Sequence, residues 1–374
     1  MIKKILKIIL LLLSVVLVFA IGFILTLQVT EYNPEETVTL SVENNLDDAD
    51  SSYVTLDTTI RILTFNTGYA SLSETEDFVM DGGVKGRMDS LEEVQANIDG
   101  ITGILESKSA DIYLLQEVDQ ISDRSYDTDQ YSAYEDALQM PITIGYNYRV
   151  LFVPFPFEIG QMMGNVNSGI VTMANYHVDS ATRIQLPGSF SWPLRLANLK
   201  RCIVVSRFSI QGSDKEFIVI NAHLSAYDDG TMRLQEMEAV KSILSEETDK
   251  GNYVLLGGDF NQTFPDAVEI TGSGDSQSLN YHYALKDSSY WQAFPMEEDW
   301  FINNGFQFGV DINTPTCRLL NQPLDLVNEE NNQYYVIDGF IVSSNISIEL
   351  VQTQNEGFKY SDHNPVLIEI RLIP

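Results

Sequence analysis

Acids, amides and imidazoles recur in this chain at the ends of short apolar runs. Asn66 follows Ile60–Phe65, and Glu117 follows Asp111–Leu115. Asn221 and His223 follow Phe217–Ile220, while Asp259 and Asn261 follow Tyr253–Leu256. Asp338 interrupts the apolar run Tyr334–Val342, and Asp362 and His363 precede Val366–Leu372. Short bounded apolar runs read as buried strands, and alternate residues of an extended chain share a face. Asp259 and Asn261 therefore point together beyond their strand, with Phe260 turned back to the core. A carboxylate beside a neutral amide suits a divalent cation and a phosphate oxygen, one as ligand and the other as donor. A single strand closing in an Asp/Asn turn is ordinary; the recurrence argues for a site.

The chemistry these types would do together is hydrolysis of a phosphoester. It needs charge neutralised on the phosphoryl oxygens and a water placed in line with the leaving group. Mg²⁺ prefers oxygen ligands and keeps several waters, so one or two carboxylates suffice to hold it. Asp338 needs a partner if it is buried, and His363 is the candidate. A carboxylate would fix the tautomer of that imidazole and favour its charged form. The plain alternative is a structural ion pair joining two strands. His177 and His282 have no such context and read as loop or surface residues. Cys202 and Cys317 fit neither a zinc cluster nor a disulfide framework. One bridge and two buried free thiols both stay open, and no cysteine or histidine cluster is evident for zinc.

Two matched units must position these groups. In the first, Ile60–Phe65 is followed by a helix opened by a Ser90–Glu93 capping box. It carries Leu91, Val94, Ile98, Ile101 and Leu105, and the strand Asp111–Leu115 comes next. In the second, Phe217–Ile220 is followed by a helix with Leu234, Met237, Val240, Ile243 and Leu244, then by Tyr253–Leu256. Each unit presents an amide and a carboxylate, which reads as a structural pseudo-repeat. Between them, Phe152–Met163 is rich in aromatics and Met, and reads as core packing or as a segment that dips into a lipid interface. Cys202–Phe208 should pair with Glu216–Ile220 across the turn at Gln211–Asp214. Gly272–Asn280 and Asn328–Asn332 read as polar loops.

The 374 residues carry 22 Lys+Arg against 53 Asp+Glu, a net charge of −31. That disfavours nucleic acid as a partner unless metals or a local basic patch intervene. Arg183, Arg195, Lys200, Arg201 and Arg207 are the candidates for such a patch. Ile8–Val29 is nearly unbroken apolar sequence, about 33 Å as a helix, enough to cross a bilayer. Lys3, Lys4 and Lys7 precede it, which puts the amino end in the cytoplasm and the rest outside. The rival is a cleaved signal peptide, whose apolar region is normally shorter. Residues 30–57 hold eight acidic residues and no basic ones, and read as a solvated spacer with one short strand at Val38–Val42. The expected domains are 1–29, anchor; 30–57, linker; and 58–374, catalytic.

LLQEV at 114–118, INAHLS at 220–225, GGDFN at 257–261, IDGFIVS at 337–343 and SDHNPV at 361–366 together resemble the endonuclease/exonuclease/phosphatase superfamily. The resemblance runs from about Ile60 to Ile373. It implies an α/β fold, a four-layer α/β/β/α sandwich with two mixed β-sheets, here preceded by a transmembrane helix. It implies Glu117 as the main ligand of Mg²⁺ (or Mn²⁺), with Asn66 nearby and Asp362 as a further ligand or hydrogen-bond partner. Asp259 resembles the carboxylate that orients or deprotonates the attacking water, and Asn261 a phosphate-oxygen donor, with Asn221 a further substrate contact. His363, held by Asp338, resembles the imidazole at the scissile phosphate, and His223 matches a second histidine of some branches. Gly68 departs from members that carry an acid there, which puts a second metal ligand from that strand in doubt. The expected function is Mg²⁺-dependent phosphoester hydrolysis, as a phosphodiesterase at the outer face of the cell membrane. A lipid head group or other small target near the membrane is the expected substrate. An extracellular nuclease and a non-catalytic surface binding module are the alternatives.

Overall fold

The computed structural model describes residues 2–47, 53–271, 278–281 and 283–374. Counting only strands of the two large sheets, the first sheet is built from β2 (Ile60–Asn66), β3 (Ile112–Asp119), β4 (Ile142–Val153), β5 (Gly164–Ala174), β12 (Ile346–Thr353) and β13 (Val366–Leu372), in the order β12-β13-β2-β3-β5-β4. The second contains β1 (Thr37–Leu40), β6 (Ser180–Gln185), β7 (Cys202–Ser209), β8 (Glu216–His223), β9 (Tyr253–Asp259), β10 (Phe306–Gly309) and β11 (Asp338–Ser343), in the order β1-β6-β7-β8-β9-β11-β10. Each sheet holds one parallel pair among antiparallel neighbours: β2 with β3 and β8 with β9. Parallel strands need a crossover, and helices α2 (Leu91–Lys108) and α4 (Thr231–Asp249) supply the two. The matched units expected from the sequence are therefore these two crossovers. The β7–β8 hairpin also forms as expected.

Alternation along the strands separates three apolar layers. Ile60, Ile62, Ile112 and Leu114 meet Phe208, Phe217, Val219 and Leu255 between the sheets. Leu63, Phe65 and Leu115 face α2 through Val94, Ile98 and Ile101, and Ile218, Ile220 and Leu256 face α4 through Met237, Val240 and Leu244. The result is the α/β/β/α sandwich. Ser90 Oγ caps α2 by accepting from Glu93 N at 3.2 Å. Leu91 and Leu234, expected on the buried faces, are solvent-facing instead; each sits in the first turn of its helix, beyond the sheet it would cover.

The amino-terminal part differs most from expectation. Helix α1 (Ile2–Val29) forms as one apolar rod, exposed except where Ile24 and Leu27 meet the sandwich. The segment after it is not a free spacer. Thr37–Leu40 adds to the edge of the second sheet, pairing Thr37 with Ile184 and Leu40 with Ala181. Glu43 and Ile142 then exchange backbone hydrogen bonds at 2.8 and 3.0 Å. The short strand expected at Val38–Val42 thus forms at Thr37–Leu40, as an edge strand that needs backbone partners on one side only. Part of the expected Gly272–Asn280 loop pairs as Ser278–Tyr281 against Val268–Thr271. Residues 272–277 and His282 lie outside the described residues. Both cysteines are buried free thiols.

Candidate active site

Strand ends from both sheets meet at the rim where the parallel pairs end. Asn66 closes β2, and Asp259 closes β9. Asp338 opens β11 directly opposite Asp259 in the ladder. Glu117 sits in a bulge of β3, where the register shifts between Leu115 and Val118 and its own φ is 56°. That bulge swings the carboxylate out of the ladder toward the rim. The strand β9 can reach this point because of its glycines. A Cβ at Gly257 would lie 2.6 Å from the Phe340 ring, and one at Gly258 (φ 151°) would lie 2.0 Å from the Ala222 carbonyl oxygen.

The side chains converge on a small volume. Asn66 Nδ2 donates to Asp259 Oδ2 at 3.0 Å and to Glu117 Oε1 at 3.2 Å. His363 Nδ1 is 2.8 Å from Asp338 Oδ2, and its Nε2 lies 3.8 Å from Asp259 Oδ2 and 3.9 Å from Asp362 Oδ2. His223 Nε2 is 3.5 Å from Asp259 Oδ2 and 3.8 Å from Glu117 Oε1. All of these except Glu117 are buried.

The environment drives the two imidazoles apart. Burial alone would lower the His363 pKa, but Asp338, Cys317 and Asp362 outweigh it and hold it well above its usual value. Burial, with Arg201, His363 and Arg124 adding to it, holds His223 well below. Such a pair takes opposite protonation states at neutral pH. Burial and the neighbouring Asp338 push the Asp259 carboxyl up to about 6. Burial pushes Asp362 up to about 7, with Glu117 adding to the rise and His363 opposing it. Glu117 is raised too, first by burial. Arg124 opposes the rise at Glu117 only in part, because its Nε and Nη2 grip both oxygens of Asp119 at 2.9 and 2.8 Å.

This rim fits a hard divalent cation. Its donors are crowded carboxylates, and oxygen ligands of this kind suit Mg²⁺ or Mn²⁺. Asp338 Oδ1 is buried without a hydrogen-bond partner, as is His223 Nδ1. Glu117 and Asp362 line the opening; Asp259, Asp338 and His363 gather as closely, but the charged imidazole has no lone pair to give an ion, which leaves the carboxylates as the ligands. Asn66 is oriented as a donor here, with its Oδ1 occupied by Gly68 N at 3.0 Å. Gly68 has no room for a side chain, because a Cβ there would stand 2.9 Å from Asp362 Oδ1. With its φ of 52° position 68 favours glycine over an acid, and this strand end offers Asn66 alone.

Three expectations change. Asn221 lies away from the rim, fully buried between the sheets. Its Nδ2 donates to the carbonyls of Leu115 and Val171, and its Oδ1 accepts from Gln116. A strand-end amide two residues before His223 faces inward, so it ties the sheets together rather than touching substrate. Asn261 reaches the rim, but its Nδ2 already donates to the Leu224 carbonyl at 2.9 Å. Cys317 comes close enough to Asp362 and His363 to form a metal-sized group, which the sequence hides because Cys317 lies far upstream of that adjacent pair. Burial pushes its thiol up to about 12, which keeps it protonated.

Several residues at the site had no sequence signal. Arg124 stacks 3.6 Å over the Tyr69 ring. Tyr227 donates to Asp81 Oδ1 at 2.7 Å across the mouth. Asn147 and Ser168 come from β4 and β5. The rim forms one end of a cavity of about 760 Å³. Of the expected basic patch, only Arg201 lines that cavity. Arg183 is buried, Arg195 and Lys200 pair with Glu31, and Arg207 pairs with Glu216 and Glu247.

The model of the endonuclease/exonuclease/phosphatase family matches residues 94–363, and the chain belongs to that family. Among solved structures, it is similar to an endonuclease/exonuclease/phosphatase from Beutenbergia cavernae at 15% identity and TM-score 0.54, covering 84% of this chain and 72% of that one. A Bacteroides vulgatus family structure aligns at 17% identity and TM-score 0.50 over 84% and 100%. ANGEL2, described as a 2′,3′-cyclic phosphatase, aligns at 14% and 0.51 over 86% and 98%. These likenesses show the fold. A search of curated proteins gave no match.

Proposed function

We propose that this protein is a Mg²⁺-dependent phosphodiesterase anchored by α1, with its sandwich on the outer face of the membrane. The observation that carries the chemistry is the meeting of Glu117, Asn66, Asp259, His223 and the Asp338–His363 pair at one cavity end. Glu117 and Asp362 would hold the cation. When bound, it neutralises phosphoryl charge and acidifies water. Asp259, oriented by Asn66 and lying between the two imidazoles, takes the proton of the attacking water. His363, charged and fixed by Asp338, donates to the phosphoryl oxygens as negative charge builds there. His223, neutral, offers Nε2 to the same volume. Asn261 completes the rim through a remaining amide hydrogen. The anchor reading rests on the long helix Ile2–Val29, whose apolar part begins at Ile8, and on Lys3, Lys4 and Lys7 at its start.

The test uses the full chain in phosphatidylcholine nanodiscs with bis(4-nitrophenyl) phosphate and, separately, plasmid DNA. The expected result is Mg²⁺-dependent release of nitrophenol that excess chelator abolishes. Plasmid nicking without diester hydrolysis would replace this reading with the nuclease one. Full activity in chelator would end the metal-dependent mechanism.

A further inference from the structure

We infer that the last turns of α1 are one wall of the substrate site. The site then takes a phosphoester amphiphile whose aliphatic chain lies along α1 while its phosphate reaches the acidic rim. This rests on the hydrolase reading above and adds the substrate's class and the helix's part in binding it.

The cavity is continuous from Glu117 and His363 to Phe23, Ile24 and Leu27 of α1. The carboxylates and imidazoles of the site gather at the Glu117–His363 end. The wall facing the helix is formed by Val153, Phe155, Met163 and Leu196. Ile24 and Leu27 pack with Tyr148, Val150 and Leu196, and Phe23 meets the Phe152 ring edge-on at 6.2 Å. A cavity with one wet end and one long apolar wall fits a ligand of the same two-part character. A nucleic-acid strand gives such a wall nothing to bind. At the junction of the two parts, buried Asn147 presents an Nδ2 without a hydrogen-bond partner, and the half-buried Arg201 lies on the same lining. Both suit polar oxygens next to an ester.

The helix is held in register with this wall. Trp192 Nε1 donates to Gln28 Oε1 at 3.1 Å, and Lys200 Nζ meets Glu31 at 2.8 Å just beyond the helix end. A helix of 28 residues is about 42 Å long, against about 30 Å of hydrocarbon. Its first turns carry Lys3, Lys4 and Lys7, so the apolar part Ile8–Val29, about 33 Å, is what matches the hydrocarbon, and its last turns, from Phe23 to Leu27, come to the outer boundary of the bilayer. Around that point Phe157 and Ile159 are 83% and 97% exposed, and Trp192 and Leu194 are 57% and 61% exposed. Apolar side chains clustered in the open beside a spanning helix are suited to the lipid interface. They set the cavity mouth against the membrane, where an amphiphile can slide in by its tail.

The experiment compares methyl and dodecyl esters of 4-nitrophenyl phosphate, hydrolysed by the full chain in phosphatidylcholine nanodiscs. Water attacks phosphorus, the bond to the nitrophenyl oxygen breaks, and nitrophenol and the alkyl phosphate leave. We expect kcat/KM to favour the dodecyl ester by at least roughly tenfold. Ile24→Trp and Leu196→Trp, which fill the wall from opposite sides, should each cut that preference at least fivefold. Leu25→Trp, on the lipid-facing side, should leave it unchanged. A preference that survives both filling variants, or that Leu25→Trp erases equally, overturns the inference while the hydrolase reading stands. If neither ester is hydrolysed, the hydrolase reading falls. The wall is then judged by crosslinking with a diazirine-tailed dodecyl phosphate. Adducts confined to Ile24, Leu27, Phe155 and Leu196 support it, and adducts spread around α1 overturn it.

Discussion

The Asp338–His363 contact divides the labour at the rim. Asp338→Asn keeps the shape but loses the charge that holds the imidazole protonated and in one tautomer. Its kcat on a soluble diester should fall by roughly 10²-fold or more with KM little changed. Asp259→Asn, nearly isosteric, should lose a similar or larger factor while its melting curve overlays the parent's; an active Asp259→Asn would remove that residue from the role of base. Away from the site, burial opposes ionisation of Glu247, but hydrogen bonds from Arg207, Lys250 and Asn252 outweigh it and pull its carboxyl from 4.5 down to about 2. The folded value lies below the unfolded one, so the stabilisation is complete above about pH 4.5 and is lost as pH falls toward 2. Glu247→Gln should cost about 1–2 kcal/mol in denaturant melts at pH 7, and the gap should close across that acid window. At this scale the sequence was informative wherever a polar residue ended an apolar run. It misled at Asn221, because strand alternation sends one of two nearby polar residues inward and the letters do not say which.

At the scale of elements, the site is a product of strand ends brought level. β9 is the tightest of them, and Gly258 is where it passes closest to β8. Gly258→Ala puts a methyl into the Ala222 carbonyl, with no flexible side chain to yield. We expect a loss of roughly 3 kcal/mol, seen as a lower denaturation midpoint, together with reduced activity because Asp259 is the next residue. A variant as stable and active as the parent would show that β9 tolerates more separation than its spacing implies. Both crossovers were legible in the sequence because helices α2 and α4 repeat apolar residues at helical spacing between two apolar runs. The β3 bulge that aims Glu117 was not. A bulge leaves no periodic trace, and Gln116–Glu117 read simply as the polar end of a strand. Arg124 was hidden for a related reason, since its meaning depends on Asp119 and Tyr69 closing around it in space.

At the scale of the molecule, residues 30–47 belong to the sandwich rather than to a tether. A chain starting at Asp57 loses β1 and bares the edge of β6. It should melt at least about 5 °C below a chain starting at Thr30 and aggregate sooner. Equal melting and solubility would mean that the edge strand adds nothing. Composition concealed this because acidic, Asn- and Asp-rich sequence is compatible with either a solvated tether or a short edge strand. The same strap has a kinetic consequence. Only the few residues between Val29 and Thr37 separate the helix from the sheet, so on a bilayer the sandwich cannot swing far from the surface or turn its mouth away. For the membrane-borne amphiphile proposed above, encounter then becomes a search in two dimensions. The rate should follow the number of substrate molecules per unit area of membrane, and diluting the substrate with inert lipid should slow turnover even when its bulk concentration is held constant.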